Sequence, residues 1–127
     1  TAEPPKALGK RLENGRETDD FCFDDTALAY DGAKGLVILT GCSHSGICNI
    51  IDYAVKVTGR KHIHDIIGGF HLLQTPAAEL GRVVAWLQKS APDVMHPCHC
   101  TDLAAKAALA ASFQVAEVGA GLELDYE

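Results

Sequence analysis

The sequence predicts an α/β fold with a mainly parallel sheet and helices on one face. Short apolar segments alternate with longer segments whose apolar residues recur at helical spacing. Strands that alternate with helices in this way form parallel sheets through helical crossovers. The apolar fraction is 47% in 127 residues, which is enough to bury the core of one domain.

The first 22 residues are predicted to form a polar arm or linker, and residues 23–127 to form the domain. Residues 1–20 are rich in charge, glycine and proline and lack the apolar periodicity of a helix or strand. The segment also lacks the apolar stretch of a signal peptide.

The domain is predicted to begin with a hairpin and a first strand–helix unit. Residues 27–30 and 36–39 flank a turn at Asp31-Gly32. The second of these strands, Leu-Val-Ile-Leu, is apolar throughout, which is typical of a strand buried on both faces. The next segment is predicted to be a helix that ends at Gly59, with an apolar stripe made of Ile47, Ile50, Ile51, Ala54 and Val55.

Two further units are predicted downstream. Residues 63–67 form the second strand, and Thr75 and Pro76 are suited to the N-cap and the first position of its helix. The buried face of that helix is predicted to contain Leu80, Val83, Val84 and Leu87. The remaining elements are a third strand at 93–95, an alanine-rich helix at 102–112 and one or two strands within 115–124.

Composition excludes several classes of function. The net charge of −6 argues against nucleic acid or an anionic membrane as the main partner. No apolar run approaches the ~18 residues that span a bilayer. The chain has 5 cysteines, and an odd number is a poor framework for disulfides. We therefore expect reduced thiols and a cytoplasmic protein.

A histidine follows each of the three predicted parallel strands. The motifs are Gly-Cys-Ser-His-Ser-Gly at 41–46, Gly-Gly-Phe-His-Leu at 68–72 and His-Pro-Cys-His-Cys-Thr at 96–101. Because carboxyl ends of parallel strands meet at one edge, we expect His44, His71 and His99 to converge there. Neutral imidazole binds zinc and iron, so these residues form a candidate metal site. A single buried histidine is more often a hydrogen-bonded core residue than a ligand, and it is the three at equivalent strand ends that favour a metal site.

Other polar residues have simpler interpretations. We interpret Cys42 and Cys48 as small core residues. Cys98 and Cys100 form a Cys-X-Cys pair, which is too closely spaced for a standard zinc knuckle, and their role stays open.

Two pairs of residues lie outside this candidate site in the predicted sheet. His62 and His64 lie at the start of the second parallel strand, at the opposite edge of the sheet, and are expected to be structural or exposed. Asp24 and Asp25 are suited to capping the hairpin or to contacting a metal, and we favour capping.

Four motifs in this order resemble one branch of the metallo-β-lactamase superfamily, similar to the 7,8-dihydropterin-6-methyl-4-(β-D-ribofuranosyl)aminobenzene-5'-phosphate synthases. They are Asp-Asp-Thr-Ala-Leu at 24–28, the motifs at 41–46 and 68–72, and Pro-Cys-His-Cys-Thr at 97–101. The resemblance covers about residues 20–125. It implies half of a four-layer αββα sandwich, with residues 23–127 as the C-terminal half-domain.

The resemblance also implies a metal site between the two halves, holding zinc or iron. It places His44 where the superfamily has its metal-bridging ligand or an equivalent, and His99 at the last ligand position. His71 falls beside the site, as a ligand or substrate contact. The His-X-His-X-Asp-His motif of the N-terminal half is absent, since no histidine precedes His44. Asp102 replaces the usual glycine, where it is suited to capping the next helix or to adding charge near the metal.

The implied function is that of the C-terminal part of a metal-dependent hydrolase, which acts on a phosphoester or similar bond of a small molecule. Activity would require the missing N-terminal half, so the chain alone is expected to be inactive and its metal site weak or unfilled. The expected partner is that half or a second copy of the chain. A non-catalytic metal-binding or regulatory module, and a truncated fragment, stay open as alternatives.

Overall fold

The computed structural model describes residues 3–127, so residues 1 and 2 of the predicted arm lie outside the described part. The elements in chain order are β1 (Gly9–Glu13), β2 (Arg16–Asp20), β3 (Ala27–Gly32), β4 (Gly35–Thr40), α1 (Ile47–Thr58), β5 (Ile63–Gly69), α2 (Ala77–Ser90), β6 (Val94–Cys98) and α3 (Leu103–Ala110). None of the helices in residues 3–127 is long and apolar enough to cross a membrane.

The main sheet has four strands in the order β3-β4-β5-β6. Strand β3 is antiparallel to β4, with Leu28 opposite Leu39, which confirms the predicted hairpin. Its turn is formed by Ala33 and Lys34, because Asp31 and Gly32, the predicted turn, still pair within the strands. Strands β4, β5 and β6 run parallel to one another. The prediction of a mainly parallel sheet is therefore confirmed, and the carboxyl ends of these three strands share one edge.

The helices cover one face of this sheet. Side chains alternate across a strand, so Ile38, Ile66 and Met95, which are aligned across β4, β5 and β6, point to the same face. All three are fully buried in one core cluster with residues from every helix. The helical residues of that cluster are Ile47, Cys48, Ile51, Ala54, Leu80, Val83, Leu87, Ala105 and Leu109.

The opposite face of the sheet is only partly covered. Leu28, Tyr30 and Leu39 are 66%, 49% and 46% exposed there. On β5 and β6, the carboxylate of Asp65 and the imidazole of His96 are buried and hydrogen-bonded, with Nδ1 2.9 Å from the carboxylate oxygen. The Tyr126 hydroxyl near the chain end donates a second hydrogen bond to Asp65.

The helix ends confirm one prediction, correct a second, and show which of two proposed roles Asp102 has. Gly59 ends α1 in the left-handed conformation, with φ of 72°, as predicted. Helix α2 begins at Ala77, and its N-cap is Pro76 in an extended conformation with ψ of 139°, so Thr75 is not the cap. Asp102 caps α3, because its Oδ1 accepts a hydrogen bond of 2.8 Å from the Ala105 N–H.

Two terminal segments differ from the sequence interpretation. The polar segment 1–22 contains the antiparallel hairpin β1-β2, whose turn places Asn14 and Gly15 at positive φ. It was missed because β1 is exposed at every position and so has no apolar alternation. The predicted strands within 115–124 are wrong. Val115 forms one isolated bridge to Met95, whose carbonyl also accepts from the Ala116 N–H, and residues 116–124 form no strand.

Candidate functional site

The loops that follow β4, β5 and β6 are hydrogen-bonded to one another at the carboxyl edge of the sheet. The Gly69 N–H donates to the Gly41 carbonyl at 2.8 Å, and the Ser43 hydroxyl donates to the Gly69 carbonyl at 2.6 Å. The Phe70 N–H donates to the Thr101 hydroxyl at 3.0 Å. These bonds bring the three histidine-bearing motifs into one assembly.

Gly68 and Gly69 allow this close approach because they lack a side chain. A Cβ on Gly68 would lie 2.1 Å from the Thr40 carbonyl oxygen, and the residue has φ of 133°. A Cβ on Gly69 would lie 2.6 Å from the Cys100 sulfur. Both distances are far shorter than any real carbon contact, so the motif needs glycine at these two positions.

Each of the three loops also contains a non-glycine residue in the left-handed backbone region. These residues are Ser43, His71 and His99, with φ of 57°, 52° and 47°. Such conformations cost roughly 1–3 kcal/mol each and gather at functional sites, where the surrounding structure enforces them. The strain coincides with two of the three predicted ligands and with the neighbour of the third.

The structure brings His44 and His71 together. Their ring centroids are 4.9 Å apart, and the planes meet edge to face at 81°. Burial lowers the pKa of His71, and the neighbouring His44 and Lys6 lower it further. The shift favours the neutral imidazole of His71, which is the form that binds a metal.

His99 follows β6 at the same edge and is exposed. In the described part of the chain its ring makes no stacking contact with His44 or His71. Within residues 3–127, no group of three or more His, Cys, Asp or Glu side chains is arranged to hold a metal ion. The pair of histidines thus offers donor chemistry suited to zinc or iron but supplies only part of a coordination shell, and the three-histidine site stays a prediction.

Comparison with known proteins identifies the fold. No family model matches the sequence. The crystal structure of Tm1679, a metal-dependent hydrolase of the β-lactamase superfamily, superposes with a TM-score of 0.81 and 33% identity, over 89% of this chain and 44% of that one. The chain has the fold of part of a metallo-β-lactamase superfamily protein. The sheet with helices on one face is therefore half of the superfamily's sandwich, as the sequence predicted.

Two curated proteins of Methanocaldococcus jannaschii agree with this assignment. The chain is 34% identical over 96 residues to its 7,8-dihydropterin-6-methyl-4-(beta-D-ribofuranosyl)-aminobenzene-5'-phosphate synthase, covering 76% of this chain and 33% of the synthase. It is 39% identical over 90 residues to an uncharacterized protein, covering 71% and 32%. The chain thus spans about a third of the length of the curated relatives it matches.

Two of the cysteines, Cys48 and Cys100, are buried in the structure. The Cys100 thiol is buried, donates to the Cys42 carbonyl at 3.3 Å and accepts from the His71 N–H at 3.2 Å. Burial raises the pKa of Cys100 and, more strongly, that of Cys48 in α1. Both therefore favour the thiol over the reactive thiolate. All five cysteines are free.

Asp25 bonds to the loop that carries His44 and does not form the predicted cap of the hairpin. The Asp25 carboxylate accepts hydrogen bonds from the Ser45 N–H and hydroxyl, at 2.8 and 2.7 Å, and so fixes the loop that carries His44.

At the opposite edge, His62 and His64 bond to the same Asp93 oxygen at 3.1 and 2.9 Å. That edge is structural, as predicted for the His-X-His pair.

One feature beside the histidine pair gave no sequence signal. His44 and His71 border a cavity of about 140 Å³ between α2 and residues 3–8. Arg82 and Trp86 of α2 line it. The periodicity of the sequence predicts only that these residues lie in a helix. The cavity itself forms between segments that are far apart in the sequence, so local patterns do not predict it.

Proposed function

We propose that this chain is the C-terminal part of a metal-dependent hydrolase and that His44, His71 and His99 bind a divalent metal, zinc or iron. The observation that carries the proposal is the contact between His44 and His71, at 4.9 Å between ring centroids, on the loop edge of a metallo-β-lactamase-type sheet. A metal-dependent hydrolase of that superfamily shares the fold. His99 joins the set because its loop is bonded to that of His71 through Thr101.

The remaining residues of the site position these imidazoles. Gly68 and Gly69 let the loops approach, and the buried Cys100 thiol bonds to the backbone of His71 and Cys42. Asp25 fixes the loop around His44. When bound, a divalent metal supplies Lewis-acid activation for hydrolysis of a phosphoester or similar bond in a small molecule.

The site requires a partner to be complete. Since the chain spans about a third of its curated relatives, the other ligands belong to the N-terminal half or to a second copy. We infer that the chain alone binds metal weakly and does not hydrolyse substrate, because a cation with too few ligands is neither satisfied nor held in a preorganised geometry.

Reconstitution tests this proposal. The chain is combined with a separately produced polypeptide that carries the His-X-His-X-Asp-His half, and hydrolysis of a chromogenic aryl phosphate is measured with zinc or ferrous iron. We expect activity only in the mixture, with a loss of at least about a hundredfold in His44→Ala and no change in His62→Ala, at the opposite edge. Metal binding without hydrolysis in a stable mixture would contradict the catalytic proposal and favour a non-catalytic metal-binding module.

A further inference from the structure

The cavity beside the histidine pair is roofed by the leading segment, residues 3–8. The Glu3 carboxylate accepts a hydrogen bond of 2.7 Å from the Cys48 N–H in the first turn of α1. The Glu3 backbone and the Asn49 side chain exchange two further bonds, of 3.0 and 2.9 Å. Lys6 forms an ion pair with Glu79 of α2. The segment is thus held to both helices.

The inner wall of the cavity is apolar. Phe70, Leu72 and Val83 line it and are 1%, 4% and 3% exposed. The half-buried ring of Trp86 adds an aromatic surface. The volume of about 140 Å³ is close to the ~150 Å³ of an engineered apolar cavity that binds benzene. The inner part is therefore suited to a group the size of one aromatic ring.

The mouth of the cavity is polar and includes one cationic side chain, that of Arg82. His44 and His71 border it together with Arg82. The charges of Lys6 and Glu79 offset each other in their ion pair. Arg82 forms no ion pair within residues 3–127. A guanidinium in this position is suited to binding an anion such as phosphate, which it recognises through a planar set of donors.

We propose that the substrate of the site is a small molecule with a ring-sized apolar group attached to a phosphate-like anion. The ring occupies the cavity against Phe70 and Trp86, and the anion lies at the mouth between Arg82 and the histidine pair. This inference rests on the proposed function, which places the reacting bond at the same histidines. The leading segment closes over the bound ring.

Fluorescence of Trp86, the only tryptophan in the chain, reports on binding directly. The intact chain is titrated without added metal with phenyl phosphate, inorganic phosphate and phenol. We expect phenyl phosphate to bind roughly tenfold more tightly than either of its parts, because only phenyl phosphate uses both the cavity and Arg82. Arg82→Gln should weaken phenyl phosphate about three- to tenfold and leave phenol unchanged. Lys89→Gln, on the same helix but outside the cavity, should bind as wild type.

Amide chemical shifts in NMR spectra provide the second measurement. Phenyl phosphate should shift the signals of residues 3–8, 43–48, 70–72 and 79–86. Equal affinity for phenyl phosphate and inorganic phosphate, no effect of Arg82→Gln, or shifts confined to other residues would each overturn the inference. A chain that binds zinc through its histidines but not phenyl phosphate refutes this inference alone. A chain that binds phenyl phosphate but no metal refutes the proposed function alone.

Discussion

His44 and His71 lie with their ring centroids 4.9 Å apart, edge to face. Their loops are joined by the hydrogen bond from Ser43 to Gly69, two residues that are 26 positions apart in the sequence. Their proximity depends on the adjacency of β4 and β5 and on the two glycines that end β5. In the proposed metal site, the packing of these two loops therefore positions both histidines.

Gly68→Ala should be among the most destabilising single substitutions in the chain. The new methyl group would overlap the Thr40 carbonyl, and φ of 133° is unfavourable for alanine. Strain and overpacking together should lower the free energy of unfolding by roughly 2–4 kcal/mol. Gly119→Ala is the matched control, since a Cβ there meets nothing within 4 Å. Urea denaturation measures both, and equal stability of the two variants would refute the close-approach argument.

Tyr126→Phe should lower the free energy of unfolding, because it removes a hydrogen bond that joins the chain end to the sheet. The hydroxyl donates to the buried Asp65, and loss of such a bond costs about 1–2 kcal/mol. The variant should show a lower urea midpoint at neutral pH. Tyr53→Phe, at an exposed tyrosine on α1, is the control and should leave the midpoint unchanged.

The same hydroxyl predicts a dependence on alkaline pH. Burial and the Asp65 carboxylate raise the pKa of Tyr126 above its ordinary value of 10.0. The folded state therefore keeps a proton that the unfolded state loses, so stability falls as the pH rises above 10.0 toward the folded-state pKa. The difference in stability between wild type and Tyr126→Phe should shrink over that range. A constant difference would contradict the raised pKa.

Asp102→Ala should destabilise α3, whereas Asp102→Asn should largely retain the cap. The carboxylate accepts bonds from the Ala105 and Gln74 N–H groups, at 2.8 and 2.7 Å, and these bonds lower its pKa. The charge contribution is present above the ordinary pKa of 3.8 and is lost as the pH falls through the lowered folded-state value. Thermal denaturation should therefore show a smaller difference in melting temperature between wild type and Asp102→Asn at acidic pH than at neutral pH. An unchanged melting temperature in Asp102→Ala would exclude a capping role.

The open sheet face should promote self-association when the other half of the sandwich is absent. Leu28, Tyr30 and Leu39 form an exposed apolar surface, and contiguous patches of this kind usually mark interfaces. Light scattering at micromolar concentration should give a dimer or larger species, and Leu39→Glu should shift it to monomer. Leu103→Glu, on α3, should not. A monomeric wild type would count against this prediction.

Strongly periodic segments could be predicted from the sequence, because burial on one face enforces their pattern. The apolar run of β4 and the stripe around Ile51 in α1 gave the hairpin, the parallel units and the helical face. For Asp102, residue chemistry left capping and charge near a metal open, and the structure shows capping. Exposed segments gave no such signal. The β1-β2 ladder has no buried face, and Leu122 and Leu124 resemble a strand in composition but lie on the surface.

The site was predictable only where topology determines it. Three parallel strands ending at one edge placed the histidine motifs close together, and His44 and His71 do meet. The orientation of His99 depends on its left-handed backbone conformation, which the sequence around it does not predict. The cavity beside Trp86 depends on where residues 3–8 lie, which polar composition does not specify.

Calorimetric titration with zinc tests the central claim most directly, because it measures the histidine set without requiring the missing half. We predict one weak site per chain, with affinity reduced at least about tenfold in each of His44→Ala, His71→Ala and His99→Ala. His62→Ala, at the opposite edge, should bind zinc as wild type does. If the wild type binds zinc and neither His44→Ala nor His99→Ala weakens it, the assignment of this metal site is wrong.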